Sequence, residues 1–332
     1  MNKRIQELDY VKGVLILLVI SFHLVWFEQL HPDIKQVVYC FHMPGFLLIS
    51  GYLMNISKEP KDFLRTLLWL AVPYVVMESG YIYMASILPI NEHIPLLTPW
   101  VYLKHLFLHP LGPYWYLHAI ILCGAVYYWT LSSSPLKGES PAAKEALPLS
   151  EGLGGSERWV WTRFILIGIA YYVLAHFLGI LSFSSAMYFL AGAILRQTGT
   201  NLVAFFRPSS LSIIFFILLA CLSERPNQAS LNGVLIAYFA ISTLLSIYKH
   251  LPPAPRTMLL FLGRNSLMLY VFSPIFTVLC KRLVPYLQFD PTGLIFLLVS
   301  LAFCVTGSLL IAWLMDLTRI SRFFFGRKAI RE

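Results

Sequence analysis

Ten apolar runs follow one another along the chain, most of them long enough to cross a lipid bilayer, and this feature constrains the fold most. A helix that spans the hydrocarbon core needs about 20 predominantly apolar residues. Only 12% of the 332 residues are charged, against about 25% in a soluble domain. The chain has too little polar surface to cover itself in water, so we predict an all-α polytopic membrane protein with about ten transmembrane helices. The predicted spans are 10–28, 35–56, 63–89, 113–132, 160–179, 182–196, 209–223, 230–248, 258–283 and 292–316.

The distribution of basic residues predicts how these helices cross the membrane. With ten spans and the N-terminus inside, 20 of the 25 Lys and Arg residues fall on the cytoplasmic side and 5 outside. Cytoplasmic loops of membrane proteins carry such an excess of Lys and Arg. We therefore expect a multi-pass protein of the cell inner membrane with both termini in the cytoplasm. The net charge of +9 follows from the same short basic clusters, which argues against a nucleic-acid partner.

The remaining polar stretches indicate one membrane domain over residues 1–332 rather than several. Residues 132–158 are rich in Ser, Pro, Gly and Ala, and we interpret them as a flexible cytoplasmic linker. Residues 98–110 are expected to form an interfacial or re-entrant helix. The five cysteines lie in or beside apolar runs without a CxxC or Cys/His cluster, so no disulfide framework and no metal site is expected.

Ionisable residues within a predicted span are costly in a membrane and are therefore functional candidates. Lys12 and His23 are 11 residues apart, which brings them within about 20° of the same face of a helix and about 16 Å apart along its axis. Lys12 would lie at the cytoplasmic interface as an anchor for an anion, and His23 deeper in the membrane as a proton-handling group. Asp9 precedes Lys12 by three residues and is expected to pair with it. The alternative is a snorkelling Lys and a structural His.

A second group of polar and small residues occupies the second predicted span. His42 falls near its outer end, which is the end nearest His23. Pro44 is expected to disturb the helix and to free backbone carbonyls, which a membrane tolerates only where they face protein or water. Ser50 and Gly51 allow close helix packing. The alternative interpretation is a kinked helix with an interfacial histidine.

Several further polar or aromatic residues have both a structural and a functional interpretation. Glu78 lies inside the third predicted span and should face a cavity or a partner. Trp115 and Tyr116 begin the fourth span, where an aromatic belt or a sugar-stacking platform would explain them equally well. Arg65 and Arg264 are cations at cytoplasmic helix ends, so they serve as topology signals or as phosphate ligands.

The ordered set of motifs along the chain resembles the membrane acyltransferase-3 family. The resemblance covers the whole chain, and each motif carries little weight alone, whereas their order is specific. In chain order the motifs are Asp9-Tyr10-Val11-Lys12-Gly13 with His23, Phe41-His42-Met43-Pro44 with Ser50-Gly51-Tyr52, Arg65 with Pro73-Tyr74, Gly112-Pro113-Tyr114-Trp115-Tyr116-Leu117, Tyr188-Phe189-Leu190-Ala191-Gly192, and Gly263-Arg264-Asn265-Ser266-Leu267 with Tyr270.

The resemblance implies an integral-membrane O-acyltransferase that moves an acyl group, with acetyl as the expected group, from cytosolic acyl-CoA to a hydroxyl of a surface polysaccharide, glycolipid or lipid-linked sugar. Acetyl-CoA or another acyl-CoA would be a co-substrate, without a bound cofactor or metal. The implied catalytic residues are His23 and His42. The implied acyl-CoA ligands are Lys12, Arg65 and Arg264. The implied acceptor-binding or supporting residues are Asp9, Glu78, Trp115, Tyr116, Asn265 and Ser266.

One departure from the family pattern and two rival functions remain open at this point. Many relatives carry a histidine shortly after the late tyrosine, whereas Ser273 stands there in this chain. That histidine is either dispensable, or the protein serves a different acceptor or has lost activity. The first rival is a transporter or flippase for a lipid-linked sugar, with His23 and Glu78 as a proton relay. The second is a non-catalytic membrane sensor or partner subunit.

Overall fold

A computed structural model describes residues 4–88, 92–132, 156–223 and 226–326, and within these ranges the chain is helical, with 3-10 turns and loops but no strand. The predicted all-α class is therefore confirmed. The α-helices are α1 Gln6–Ser21, α2 Val25–Leu30, α3 Pro32–Tyr39, α4 His42–Leu53, α5 Pro60–Ile87, α6 Pro99–Phe107, α7 Trp115–Ser132, α8 Ser156–His176, α9 Phe183–Gln197, α10 Leu202–Phe205, α11 Leu211–Leu222, α12 Leu231–His250, α13 Pro253–Arg264, α14 Ser266–Cys280, α15 Val284–Leu287, α16 Leu294–Leu317 and α17 Ser321–Phe324.

Six helical segments in the described part of the chain are long and apolar enough to cross a membrane. They are Pro32–Leu53, Pro60–Ile87, Pro99–Ser132, Leu231–His250, Ser266–Leu287 and Leu294–Leu317. Two further apolar helices, Val160–His176 and Leu211–Leu222, are shorter. A membrane protein is thus confirmed, while the count of ten spans and the cytoplasmic position of the termini stay predictions.

The first predicted span, residues 10–28, is broken rather than one continuous helix. After α1 the backbone tightens, because the N–H of His23 bonds the carbonyl of Ile20 at 3.2 Å and the N–H of Leu24 bonds the carbonyl of Ser21 at 3.3 Å. The hydroxyl of Ser21 donates to the carbonyl of Leu17 at 2.8 Å, a bond that often bends helices. His23 therefore lies in a turn past the end of α1, and the prediction that it shares a helix face with Lys12 is wrong.

The second predicted span is interrupted at Cys40–Phe41, directly before His42. Pro44 explains the position of this break, because it has no N–H to donate to the carbonyl four residues earlier, which is that of Cys40. The expected disturbance by Pro44 is confirmed, and its consequence is that His42 begins α4. A similar interruption at Asn265 divides the predicted span 258–283 into α13 and α14.

The described chain divides into two compact units. The first unit comprises Met1–Phe46 and Phe206–Glu332. Within it α1 packs against α13 through glycines: a Cβ added to Gly13 would come within 2.1 Å of the carbonyl oxygen of Leu259. Such close backbone approach is the usual role of small residues between membrane helices.

The second unit comprises Leu47–Phe205 and also contains a glycine contact between two helices. A Cβ on Gly51 of α4 would come within 1.9 Å of the carbonyl oxygen of Phe189, and a Cβ on Gly192 of α9 would come equally close to that of Leu48. The close packing expected at Gly51 is confirmed. Residues 133–155, the greater part of the predicted linker, lie outside the described residues, and the single-domain prediction stays a prediction.

Candidate functional site

The carboxylate of Asp9 gathers three cations at the N-terminal end of α1. Its Oδ2 lies 2.6 Å from Nε of Arg4 and 3.9 Å from Nε of Arg264, and its Oδ1 lies 2.8 Å from Nζ of Lys12. The expected pairing of Asp9 with Lys12 is therefore confirmed. Asp9 is 4% exposed, whereas the side chains of Lys12, Arg264 and Arg4 are 18%, 37% and 46% exposed. One buried anion thus holds three partly exposed cations, and the cluster has an excess of positive charge.

Gly263 explains how Arg264 reaches this cluster from a distant part of the sequence. A Cβ on Gly263 would come within 1.6 Å of the carbonyl oxygen of Asp9, so the two backbones are in direct contact. Arg264 is the last residue of α13 and follows this contact. Asn265 ends the helix, since its side-chain amide donates to the carbonyl of Phe261 at 2.8 Å. Asn265 and Ser266 are buried where α13 ends and α14 begins, beside the charged cluster.

The imidazole of His23 is fixed in one tautomer by the last turn of α1, which precedes it. Its Nδ1 lies 2.7 Å from the carbonyl oxygen of Val19. Because a carbonyl only accepts, Nδ1 carries the proton, and Nε2 of the neutral ring keeps a lone pair. The side chain is partly exposed. The ring is therefore oriented with a basic nitrogen directed away from the helix that holds it.

His42 repeats the same arrangement at the start of α4. Its Nδ1 lies 2.7 Å from the carbonyl oxygen of Val38, so Nε2 is again the nitrogen with a lone pair in the neutral ring. His42 is buried, and its ring centroid lies 5.0 Å from that of Tyr39, whose hydroxyl donates to the carbonyl of Phe22, directly before His23. The structure thus brings together two histidines that lie 19 residues apart in the sequence, numbered 23 and 42.

A chain of contacts that the sequence did not indicate connects α2 and α3 to the histidines. Nζ of Lys35 pairs with Oε1 of Glu28 and lies 5.2 Å from the ring centroid of Tyr39. The Tyr39 hydroxyl donates to the carbonyl of Phe22 at 3.1 Å, and its ring centroid lies 5.0 Å from that of His42. The backbone N–H of Glu28 donates to the carbonyl of Leu24, directly after His23, at 3.0 Å. An ion pair and an aromatic ring therefore adjoin the two histidines.

The loop before α16 supports α2 on its other side. Nε2 of His31 donates to the carbonyl of Thr292 at 2.9 Å, and the side chain of Leu30 lies against Gly293. Asp290 braces this loop by accepting bonds from the backbone N–H of Ile295 and from Thr292. These bonds hold the pKa of Asp290 below its usual 3.8, and the bond from Ile295 has the largest effect.

Glu78, in the second unit, is fully buried within α5. Its Oε1 accepts the backbone N–H of Leu111 at 2.6 Å, which connects α5 to the loop before α7. Its Oε2 has no hydrogen-bond partner in the described part of the chain. Tyr74, one turn earlier, donates its hydroxyl to the carbonyl of Leu106 at 2.6 Å. Glu78 therefore serves a structural contact with one oxygen and keeps the other unused.

The other predicted residues of the second unit occupy different environments. The hydroxyl of Tyr116 lies 2.7 Å from Oγ of Ser50, and Tyr116 is buried, so its ring is packed between helices. Trp115, at the start of α7, is partly exposed. Arg65 is exposed and lines a groove on α5 together with Lys61.

Ser273 and two neighbouring cysteines are further reactive groups in the described part of the chain. Ser273, at the position where many relatives have a histidine, is buried in α14. Sγ of Cys280 lies 3.9 Å from Sγ of Cys304, without a disulfide. Among the described residues no three His, Cys, Asp or Glu side chains are grouped so as to hold a metal ion.

Four residues of this region escaped the sequence-based prediction: Arg4, Glu28, Lys35 and Tyr39. The pairing of Arg4 with Asp9 has a sequence signal, because a cation five residues before an acid is close to the spacing of neighbours on a helix. Glu28 and Lys35 are seven residues apart with Pro32 between them, and this loop-like pattern hides their pairing across two short helices. Only the folded arrangement of α2 and α3 reveals it.

Comparison with known proteins identifies one related family. The family model described as an acyltransferase domain, of the acyltransferase-3 type, matches residues 5–313, which is most of the chain. No curated protein and no solved structure matches the chain. The matched range includes Lys12, His23, His42 and Arg264, and it excludes Arg4.

Proposed function

The chain belongs to the acyltransferase-3 family, and from this premise we propose that it moves an acetyl group from cytosolic acetyl-CoA to a hydroxyl of a surface polysaccharide, glycolipid or lipid-linked sugar. The observation that carries the proposal is the pair His23 and His42. Each imidazole donates Nδ1–H to a backbone carbonyl, so that Nε2 is available as a base. An inner-membrane location follows from the predicted topology.

The cation cluster around Asp9 suits the donor. Acyl-CoA carries several phosphate charges, and three cations that share one carboxylate leave positive charge for them. From Lys12 to the end of α1 the helix rises roughly 14 Å. An extended pantetheine arm of that order would carry the thioester from the cations toward His23. Arg65 is a second candidate for a phosphate contact, since it is exposed on α5.

His23 would act as general base and then as general acid. Nε2 takes the proton of the acceptor hydroxyl while the hydroxyl oxygen bonds the thioester carbonyl carbon. The carbon–sulfur bond then breaks, and the CoA thiolate takes the proton from Nε2 of His23. The acceptor leaves as an ester, and His23 returns to its neutral state. Such proton transfer typically contributes about 10²–10⁴-fold in rate.

His42 would help the same step from its buried position. Its Nδ1–H bonds the carbonyl of Val38 and its ring lies against Tyr39, so its orientation is fixed. A fixed polar group beside the reacting carbonyl stabilises the negative charge that develops on its oxygen. In its neutral form Nε2 of His42 accepts rather than donates, so this assistance would need a second proton on a ring whose burial disfavours the charge. His42 alternatively positions the acceptor hydroxyl through that lone pair.

Labelled acetyl-CoA supplied to membranes that contain the protein tests the proposal. Glycans and glycolipids are then extracted and weighed by mass spectrometry. We expect a product that is heavier by one acetyl group and carries the label, and no such product from membranes without the protein. Unchanged masses with both acetyl-CoA and succinyl-CoA would contradict the proposed transfer.

A further inference from the structure

We propose that Glu28 and Lys35 form a binding site for a hydroxyl-rich acceptor, such as a sugar, at the mouth of the His23–His42 pair. This inference rests on the proposed function, because it names the residues that bring the acceptor hydroxyl to His23. The ion pair lies in the short helices α2 and α3, which follow α1 and precede α4. In the predicted topology this segment faces the outside, where the acceptor would arrive.

The position of the Glu28–Lys35 ion pair supports a direct role in binding the acceptor. Nζ of Lys35 lies 5.2 Å from the ring centroid of Tyr39, and the Tyr39 hydroxyl donates to the carbonyl of Phe22, the residue directly before His23. The side chain of Lys35 is 31% exposed and that of Glu28 is 22% exposed. The two groups are therefore reachable from outside, while still being shielded enough for their hydrogen bonds to be strong.

The unused hydrogen-bonding capacity of the pair fits a sugar. Glu28 employs Oε1 for Lys35, and its Oε2 has no hydrogen bond among the described residues. Lys35 has three N–H donors, of which one is directed to Glu28. Together they offer an anionic acceptor and cationic donors side by side, the pattern that two vicinal hydroxyls satisfy.

Tyr39 adds an aromatic surface to the same site. Its side chain is 36% exposed, with the Lys35 ammonium 5.2 Å and the His42 ring centroid 5.0 Å from its own ring centroid. The exposed part of the ring beside the ion pair offers an apolar contact for the carbon atoms of a sugar whose hydroxyls bind the charged groups. Because the Tyr39 hydroxyl bonds the carbonyl of Phe22, adjacent to His23, the ring is held at a fixed position relative to the base.

A purely structural role of the ion pair predicts a different result from a binding role when the two charges are exchanged. If the pair only joins α2 to α3, the double variant Glu28→Lys with Lys35→Glu should work as well as the native pair. If the pair binds the acceptor, the exchange places donor and acceptor at the wrong hydroxyls. It would then restore the stability of the segment without restoring the affinity for the acceptor.

The test uses purified full-length protein in proteoliposomes with labelled acetyl-CoA and a total glycolipid extract of the host membranes at increasing mole fraction. We expect Glu28→Gln and Lys35→Gln each to raise the apparent KM for the extract roughly tenfold, the effect of losing one charge-assisted hydrogen bond. The KM for acetyl-CoA should be unchanged. The charge-exchanged double variant should show native thermal stability but the same raised KM.

Matched controls remove charges of the same sign from the same unit. Asp33→Asn changes an exposed carboxylate of α3, and Lys281→Gln changes an exposed cation after α14. Both should keep the native KM for the extract. Full rescue of that KM by the charge exchange, or native values in both single variants, would overturn the inference. Failure of the native protein to transfer label both to the extract and to the glycans of whole membranes would instead refute the proposed function.

Discussion

Gly263 lies so close to Asp9 that a methyl group on its Cα would come within 1.6 Å of the Asp9 carbonyl oxygen. Gly263→Ala should therefore push α13 away from α1 and withdraw Arg264 from the cation cluster. Overpacking lowers the free energy of unfolding by about 1–3 kcal/mol. Because the neighbouring atom is a backbone carbonyl that cannot move aside, we expect a value at the upper end. We expect a lower melting temperature in detergent and a raised KM for acyl-CoA.

Gly168→Ala provides the control, because a Cβ on Gly168 of α8 meets nothing within 4 Å. This change should leave melting temperature and KM unchanged, or raise the melting temperature slightly, since alanine favours a helix by about 1 kcal/mol over glycine. If both alanine variants behave alike, the contact between Gly263 and Asp9 does not maintain the cluster.

Lys12→Ala should weaken donor binding more than it slows the chemical step. Lys12 pairs with Asp9 at 2.8 Å, and in the proposed function it holds a phosphate that does not change during the reaction. Removing such uniform binding raises KM with little effect on kcat. Steady-state kinetics with acetyl-CoA and with a 3′-dephospho analogue measure this split. Lys249→Ala, an exposed cation at the end of α12, should leave both constants unchanged. A fall in kcat at constant KM would assign Lys12 a different role.

Substitutions at Glu78 distinguish an acyltransferase from a transporter that uses Glu78 in a proton relay. Glu78→Gln keeps an oxygen for the N–H of Leu111 but cannot carry a proton, so the acyltransferase should retain most of its transfer activity. Glu78→Ala should destabilise the protein by about 1–3 kcal/mol, because the buried N–H of Leu111 loses its partner. Thermal unfolding in detergent and acetyl transfer measure the two effects. Complete loss of function in a stably folded Glu78→Gln variant would favour the relay.

The predicted topology is tested by the accessibility of single cysteines. Ser140→Cys should be protected in intact cells from a membrane-impermeant thiol reagent, whereas Asn91→Cys should react, because the basic residues place these positions on opposite sides. Cys221, which is exposed, is first replaced by Ser to remove its background. Labelling of Ser140→Cys in intact cells would show that the number of spans before it is wrong.

The sequence predicted the helical membrane class and the motif residues, because apolar length and residue order are properties of the chain itself. It predicted a continuous helix through Lys12 and His23, whereas α1 ends at Ser21. The hydrogen bond from a serine hydroxyl to a backbone carbonyl and a local tightening of the backbone determine where such a helix ends. Hydropathy carries no information about either. The disturbance at Pro44 was predictable, because a missing N–H is a local property.

Contacts between distant segments were beyond the sequence alone. The motif around Gly263 was recognised, yet nothing in its residues indicates that its glycine meets Asp9. The pairing of Glu28 with Lys35 was likewise hidden, since it depends on how α2 and α3 turn toward each other. A single sequence gives the types of the residues in a site, and the fold decides which of them meet.

The most direct test of the central claim is acetyl transfer by His23→Gln. Glutamine keeps a hydrogen-bonding side chain but cannot take a proton from the acceptor hydroxyl, so the general base is lost while the segment keeps its polarity. Labelled acetyl-CoA and membranes with equal amounts of native or variant protein give the measurement, and binding of acyl-CoA is recorded in parallel. We predict native donor binding with transfer reduced by at least about 10²-fold. Near-native transfer by His23→Gln would contradict a general-base role of His23 and would make His42 the candidate base.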